Sequence, residues 1–167
     1  MKRSICRLFA HGPLSLFTSL FTSLLAVSLA LSVAGCPASL STDPPEAWVE
    51  VAGKRIAVEL ADTPDKQQLG LGQRDALPWD TGMYFPYEHP AIYNYWMKGM
   101  RFSIDIIWIR NGRIIDVHAE VPFVEGENGP TLRPKEAVDA VLEVPAGYVR
   151  TQGWRIGDRV VLERTSN

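Results

Sequence analysis

The sequence predicts a mainly β fold, a compact sandwich or barrel of about eight short strands with one or two short helices. Apolar and polar residues alternate over several short segments, and glycine-containing turns separate neighbouring segments. Only two short stretches carry signals that are typical of helices. The chain has 167 residues, 46% of them hydrophobic and 22% charged, which excludes a disordered tail, a coiled coil or a collagen-like repeat. Its length fits one folded domain.

The domain is predicted to begin with a β-hairpin and a short helix. Apolar residues alternate over 48–51 and 54–60 on either side of an Ala-Gly turn, which is the pattern of a hairpin. Thr63 then precedes Pro64 and an acidic residue, an order that caps a helix and suits its positive end. Two glycines follow within a few residues, so we expect the helix to be short.

Four strands are predicted in the middle of the domain. The segments 82–87 and 92–97 are rich in aromatic residues, which favour strands. The segment 103–110 has the clearest strand pattern of the chain. The Asn-Gly turn after it is a strong hairpin signal, so 113–121 is predicted to be its partner strand.

The last part of the domain is predicted to alternate between loops and short elements. Residues 122–137 hold three prolines and two glycines, which indicates a long loop. A short strand over 140–144 and one or two helical turns over 146–152 come next. A last strand is predicted over 159–163, after a Gly-Asp turn.

The first 35 residues are predicted to be a bacterial lipoprotein signal peptide. A basic start is followed by an uncharged apolar stretch over 14–34. The stretch ends in Val-Ala-Gly-Cys, which resembles the lipobox whose cysteine, here Cys36, receives a diacylglycerol and becomes the new first residue. An uncleaved signal anchor is the alternative, because about 20 apolar residues can span a bilayer. Both interpretations predict an exported domain that is held at a membrane.

Residues 36–46 are predicted to be a lipidated tether and residues 47–167 the folded domain. Three prolines among the ten residues after Cys36 indicate a semi-extended spacer. Pro37 stands where some inner-membrane lipoproteins carry a retaining aspartate. We therefore expect the anchor to lie in the outer membrane, where the host has one, with the domain on the periplasmic face.

The composition of the domain excludes several classes of function. No cysteine follows Cys36, so the domain can contain no disulfide, zinc–thiolate site or cysteine nucleophile. Residues 37–167 carry 14 basic and 19 acidic residues, a net charge of −5, so we expect no nucleic-acid partner. Neither a nucleophile motif nor a phosphate-binding glycine loop is recognisable. We therefore predict no cofactor and assign no catalytic residue.

Asp105 is the most unusual charged residue of the domain. It lies in a segment, 104–109, whose other residues are apolar on both faces, so the strand is expected to be buried on both sides. A buried carboxylate needs a charged or hydrogen-bonding partner. The nearest cations in the sequence are Lys98 and Arg101, with Arg74 further away. The pattern fits either a structural ion pair or the polar floor of an apolar pocket.

Two further patterns allow more than one interpretation. Asp116, His118 and Glu120 alternate along one strand, so they could share a face as metal ligands or simply form its solvated side; we predict no metal. Nine aromatic residues lie between Trp79 and Trp108, which fits a buried core or a platform for an aromatic or carbohydrate ligand.

Three blocks of the sequence resemble a bacterial family, the domain-of-unknown-function family number 192. They are 69–85, with Leu-Gly-Leu-Gly-Gln-Arg, Leu-Pro and Gly-Met-Tyr-Phe; 96–107, with Trp-Met-Lys and Ile-Asp-Ile-Ile; and 141–158, with Val-Leu-Glu-Val-Pro-Ala-Gly and Gly-Asp. The resemblance covers about 48–164 and implies a small β-rich domain, often behind a signal peptide, whose activity is not established. Four positions depart from the family pattern, namely Leu69, Gly72, Gly99 and Ser103.

A binding or accessory module of the cell envelope is the function that the sequence favours. It would present a pocket to a small polar or saccharide ligand, lined by residues that match the family pattern: Arg74, Trp96, Met97, Lys98 and Asp105. One alternative is an enzyme acting on envelope material, with Asp105 and either Asp116 or Glu120 as acid and base. The other is a structural subunit that binds an envelope protein through its aromatic surface.

Overall fold

The structure is a computed structural model that describes residues 44–166. In chain order its elements are β1 (Ala47–Val51), β2 (Lys54–Leu60), α1 (Pro64–Leu69), β3 (Thr81–Ala91), β4 (Tyr95–Trp96), β5 (Ile104–Arg110), β6 (Arg113–Val121), β7 (Thr131–Leu132), β8 (Val138–Pro145), α2 (Tyr148–Gln152) and β9 (Val160–Arg164). The predicted mainly β fold is confirmed. The predicted signal peptide, Cys36 and the predicted tether up to residue 43 lie outside the described residues. Within 44–166, no helix has the length and hydropathy needed to cross a membrane.

Seven of the strands form one mixed sheet, in the order β6-β5-β8-β3-β2-β1-β9, and β4 and β7 form a separate two-stranded ribbon. β2 and β3 are parallel, and the other neighbours in the large sheet are antiparallel. The two outer strands meet at one corner, where Arg113 and Arg159 form an antiparallel bridge. The N–H of Val160 donates there to the carbonyl of Gly112 at 2.8 Å. The sheet therefore curls into a partly closed barrel.

Tight turns join the two hairpins where the sequence predicts them. Ala52 and Gly53 have φ angles of 49° and 80°, and Asn111 and Gly112 have φ angles of 50° and 65°. Left-handed backbone at both central positions matches the right-handed twist of the flanking strands. These turns set the register of β1 against β2 and of β5 against β6.

The parallel pair β2 and β3 needs a crossover, and α1 lies within it. Thr63 caps this helix by accepting the N–H of Lys66 at 3.3 Å, and Pro64 occupies its first position, as predicted. The side chain of Gln67 donates to the carbonyl of Pro86 at 3.3 Å. This hydrogen bond joins the helix to β3.

Residues on the two faces of the sheet belong to two separate cores. All seven strands contribute to the interior core, which α2 completes with Tyr148 and Val149. The outer core lies on the opposite face, where Phe85, Trp108 and Val141 pack beneath residues from the segments that connect the strands. Leu71, Met97 and Met100 are examples of these covering residues. The covering layer leaves part of the outer face of β3 and β8 open.

The structure differs from the predicted elements in three places. β3 runs to Ala91, past the predicted end at 87, because Ala91 pairs again with Val138 of β8 after an irregularity in the ladder beyond Pro86. Of the predicted strand 92–97, only Tyr95–Trp96 pairs with another strand. Its partner is Thr131–Leu132, which lies within the predicted loop 122–137.

Candidate functional site

A cavity of about 550 Å³ lies between the outer face of the sheet and the layer that covers it. β3 and β8 form one wall, to which Tyr87 and Glu143 belong, and residues 69–72 at the end of α1 form another. Trp96, half exposed, and the exposed Lys98 line it near the solvent. The volume lies in the range of small-molecule sites, roughly 300–1,000 Å³.

Glu143 places a carboxyl group in this cavity from the middle of the sheet. Its cross-strand neighbours are Met83 on β3 and Ile106 on β5, which are both buried and apolar. The residue is only 6% exposed, and within residues 44–166 no group donates a hydrogen bond to its carboxyl. The carboxyl oxygens are open to the cavity and not fully enclosed by protein. Because buried polar groups are nearly always hydrogen-bonded, their partner has to come from the cavity, and this carboxyl is the feature of the site that most indicates a ligand.

The surroundings of Glu143 change its protonation. Burial raises the pKa of Glu143 to about 8, because the apolar neighbours cannot stabilise a negative charge, and the positive charge of Arg74 opposes this effect. At neutral pH the carboxyl is therefore mostly protonated and can donate a hydrogen bond. A cation brought into contact with it would favour the ionised form.

Arg74 influences Glu143 without lining the cavity. Its guanidinium donates to both carboxylate oxygens of Glu59, at 2.5 and 2.8 Å. These hydrogen bonds lower the pKa of Glu59. Glu59 pairs with Met83 across β2 and β3, and Met83 pairs with Glu143 across β3 and β8. Glu59 and Glu143 are therefore in register with the same residue, Met83, on the strand between them.

We expect Arg74→Gln to raise the pKa of Glu143 further, because the variant removes the positive charge that favours the ionised carboxyl. A titration of the side-chain carboxyl signals by ¹³C NMR measures this directly. Arg101→Gln is the matched control, since the Arg101 guanidinium pairs with the exposed Asp75. An unchanged pKa of Glu143 in Arg74→Gln would show that the two charges do not interact.

Aromatic side chains form much of the cavity wall and hold one another in place. The hydroxyls of Tyr87 and Tyr95 share a hydrogen bond of 2.7 Å, and the rings of Tyr87 and Tyr93 stack with their centroids 3.6 Å apart. The ring of Phe85 meets that of Tyr95 edge-on. Burial raises the pKa of Tyr87 to about 12 and that of Tyr95 well above its ordinary value, so both hydroxyls are neutral. With Trp96 these rings give the cavity a preformed aromatic wall.

Asp105 lies on the other face of the sheet, completely buried beside α2. One carboxylate oxygen accepts the N–H groups of Glu120 and Gly147 at 2.6 and 3.0 Å, and the other accepts that of Val149 at 2.8 Å. Asp105 is buried and hydrogen-bonded as expected, but the suggested ion pair with Lys98, Arg101 or Arg74 is wrong. A bulge in β6 and the first turn of α2 supply three backbone donors instead, and these tie β5 to both elements.

The same bulge sets Glu120 apart from Asp116 and His118, which the sequence places on the same face of β6. Asp116 pairs with Lys135 at 3.3 Å, and Nδ1 of His118 accepts the indole N–H of Trp108 at 2.7 Å. Glu120 has a left-handed φ of 50° and pairs with Arg150 of α2 at 2.7 Å. Within the part of the chain that the structure describes, no group of three metal-binding side chains comes together.

Comparison with known proteins gives the family of this chain. The family model described as DUF192, Uncharacterized ACR, COG1430, matches residues 47–162. The chain belongs to this family. The resemblance seen in its sequence blocks is thereby confirmed, while none of the curated proteins matches the chain.

Two solved structures support the fold of this DUF192 domain. One, a protein of unknown function from Novosphingobium aromaticivorans DSM 12444, is 29% identical with a TM-score of 0.62, and the match covers 68% of this chain and 83% of that chain. The other comes from Sinorhizobium meliloti 1021 and is described as a "putative transcription regulator". It is 30% identical with a TM-score of 0.61, and the match covers 69% of this chain and 90% of that chain.

The DUF192 domain brings together only some of the residues predicted to bind a ligand. Trp96 and Lys98 line the cavity, whereas Met97 between them is buried in the outer core. Arg74 belongs to the ion pair outside the cavity lining, and Asp105 lies on the opposite face of the sheet. A single pocket containing all five residues is therefore not what the fold builds.

The sequence analysis does not single out Glu143, although the signal is present. Glu143 shares one face of β8 with Asp139 and Val141, an alternation that also fits a solvated strand face, so it does not stand out as Asp105 does in β5. Its place in the third block that resembles the DUF192 family is the sequence signal that points to it.

Proposed function

We propose that this protein is a binding module of the cell envelope, which holds a small ligand in the cavity beside Glu143. The observation that carries the proposal is the buried carboxyl of Glu143, which lines the cavity and has no hydrogen-bond partner among residues 44–166. A ligand with a complementary polar group would satisfy it, while apolar parts of the same ligand would contact Tyr87, Tyr95 and Trp96.

The proposal retains the membrane anchor predicted from the sequence. A lipid on Cys36 and a proline-rich tether would hold the domain at a membrane outside the cytoplasm, with the outer membrane favoured. Glu46, the last residue of the predicted tether, pairs with Lys66 of α1, and Lys66 also pairs with Asp62, which lines the cavity. The tether would therefore reach the domain on the side of the cavity that α1 borders.

An enzyme is the second candidate, and the same residue favours it. A carboxyl with a pKa of about 8 is suited to act as a general acid near neutral pH. The acid–base pair suggested by the sequence is less suitable, because Asp105 is bound by three backbone amides and Glu120 is paired with Arg150. The cavity supplies neutral tyrosine hydroxyls as further groups for proton transfer.

Native mass spectrometry of the full chain, extracted from cells in mild detergent, tests the binding function. We expect a mass above that of the processed, lipidated polypeptide, and we expect the excess to disappear on denaturation. Glu143→Leu should lose it, since the variant removes the polar group and narrows the cavity.

Glu50→Gln is the matched control, because it changes an exposed strand carboxylate of β1. It should keep the additional mass. The binding function would be contradicted by equal native and denatured masses in the wild type. It would also be contradicted by an additional mass that Glu143→Leu retains. Loss of the additional mass with time, together with release of a chemically altered molecule, would favour the enzyme.

A further inference from the structure

We infer that the ligand of this cavity carries an organic ammonium group, which lies against the Glu143 carboxylate and the faces of the surrounding aromatic rings. The inference rests on the proposed binding function and specifies the ligand class. Two features support it, the unpartnered carboxyl and the aromatic wall, and the charges around the cavity are compatible with it.

A positively charged group offsets the free-energy cost of burying the Glu143 carboxyl more completely than a neutral group does. The carboxyl lies between apolar neighbours on both adjacent strands and receives no hydrogen bond from residues 44–166. A neutral ligand could accept one hydrogen bond from its protonated form. An ammonium group supplies both a positive charge and, where it is not fully alkylated, N–H donors, so it stabilises the ionised carboxyl between its apolar neighbours.

The aromatic wall suits the same group. Tyr87, Tyr93, Tyr95 and Trp96 line the cavity beside Glu143. The negative faces of aromatic rings attract organic cations, most strongly where water is excluded. The stacking of Tyr87 on Tyr93 and the hydrogen bond between Tyr87 and Tyr95 fix the wall before a ligand arrives. Binding therefore requires little ordering of these side chains.

The charged side chains around the cavity are compatible with a cation at Glu143. Three of the lining residues carry carboxyl groups, Asp62, Glu88 and Glu143, and one carries an ammonium group, Lys98. Asp62 is shared with Lys66 and Arg164, so Glu143 and Glu88 are the carboxyl groups left for a ligand. Lys98 is exposed, and it suits an anionic group, such as a phosphate, elsewhere on the same molecule.

Isothermal titration calorimetry with choline, ethanolamine and benzylamine tests the inference. The neutral carbon analogue of choline, 3,3-dimethylbutan-1-ol, has nearly the same shape and is the matched control ligand. We expect at least one of the three cations to bind, and choline, if it is the one, to bind at least about tenfold more tightly than the analogue. Glu143→Gln should remove this preference, whereas Glu50→Gln should preserve it.

Proton release provides a second readout that a merely structural effect would not produce. Choline carries a permanent charge, so any proton released on binding must come from the protein. The groups around Glu143 are Arg74 and Glu59 from the β2 side, the tyrosines at 87 and 95, and Lys98. Since the pKa of Glu143 is about 8, we expect close to one proton per bound cation at pH 7, and none in Glu143→Gln.

Two sources could present such a group, a free amine or a phospholipid headgroup. Phosphocholine should bind more tightly than choline, and Lys98→Gln should remove that difference. Vesicles of phosphatidylcholine, compared with vesicles of phosphatidylglycerol, distinguish the sources. Retention of the protein on phosphatidylcholine vesicles alone indicates a lipid headgroup. Binding of the free compounds without retention on vesicles indicates a soluble amine.

Some outcomes would overturn the ligand class and leave the binding function intact. In the first, mass spectrometry shows a native ligand but none of the three cations binds. In the second, choline and its neutral analogue bind with equal affinity. An empty cavity in protein taken from cells, with no binding of cations or of the neutral analogue, would overturn both proposals.

Discussion

Raising the pH from 5 to 9 should lower the free energy of unfolding of the wild-type protein by about 4 kcal/mol more than that of Glu143→Gln. The folded protein holds the proton of Glu143 up to a pKa of about 8, whereas an unperturbed glutamate loses it near 4.5. Unfolding in this window therefore releases a proton, so a higher pH favours the unfolded chain. The amide of Glu143→Gln does not titrate, and this contribution is absent from the variant.

Chemical denaturation followed by tryptophan fluorescence at several pH values measures the effect. Glu59 and Asp80 have lowered pKa values, so their contributions are lost at acidic pH, as the pH falls through those values, and not in this window. The exposed Glu50→Gln should show the slope of the wild type. Parallel curves for the wild type and Glu143→Gln would contradict a buried, protonated carboxyl.

Asp105→Asn should lower the free energy of unfolding by about 4 kcal/mol, a large part of the total stability of a domain of this size. The aspartate carboxylate accepts three backbone N–H groups, at 2.6 to 3.0 Å. An asparagine side chain has one carbonyl oxygen, and its NH₂ group would face donors. At least one buried N–H is then left without an acceptor, and the charge that strengthens the other bonds is lost.

Asp75→Asn is the control for this prediction, because Asp75 forms an exposed ion pair with Arg101 and its side chain is 88% exposed. It should change the free energy of unfolding by no more than about 0.5 kcal/mol. Chemical denaturation of the three proteins at one pH is sufficient. A loss below about 1 kcal/mol in Asp105→Asn would mean that the fold does not depend on these three bonds.

Secondary-structure features that depend only on neighbouring residues could be predicted from the sequence. The turn at Asn111 and Gly112 needs only two residues that tolerate left-handed backbone, and the cap of α1 needs only Thr63 and Pro64. β7 has no such local cause. Thr131–Leu132 is a strand because Tyr95–Trp96 lies beside it, and these two segments are far apart in the sequence.

The two buried carboxylates show where prediction of the site stops. Asp105 interrupts a strand that is apolar on both faces, so the sequence indicates that it is buried and needs a partner. Glu143 shares its face of β8 with Asp139, which also fits a solvated face, and its burial is evident only from the structure. The sequence does not indicate which partner either carboxylate finds. Asp105 meets N–H groups that become available only because β6 bulges and α2 begins nearby. Glu143 meets the cavity, because no element of the covering layer places a donor beside it.

The division of β8 between the two cores has a consequence for how proteins of this kind can diverge. Leu142 and Val144 enter the interior core with α2, while Glu143 between them lines the cavity on the outer face. Substitutions at alternate positions of one strand therefore act on different properties, some on whether the chain folds and others on what it holds. A lineage could exchange one ligand for another by changing the outward positions while its interior stayed as it was. Such a scaffold allows specificity to drift over evolutionary time at little risk to the fold.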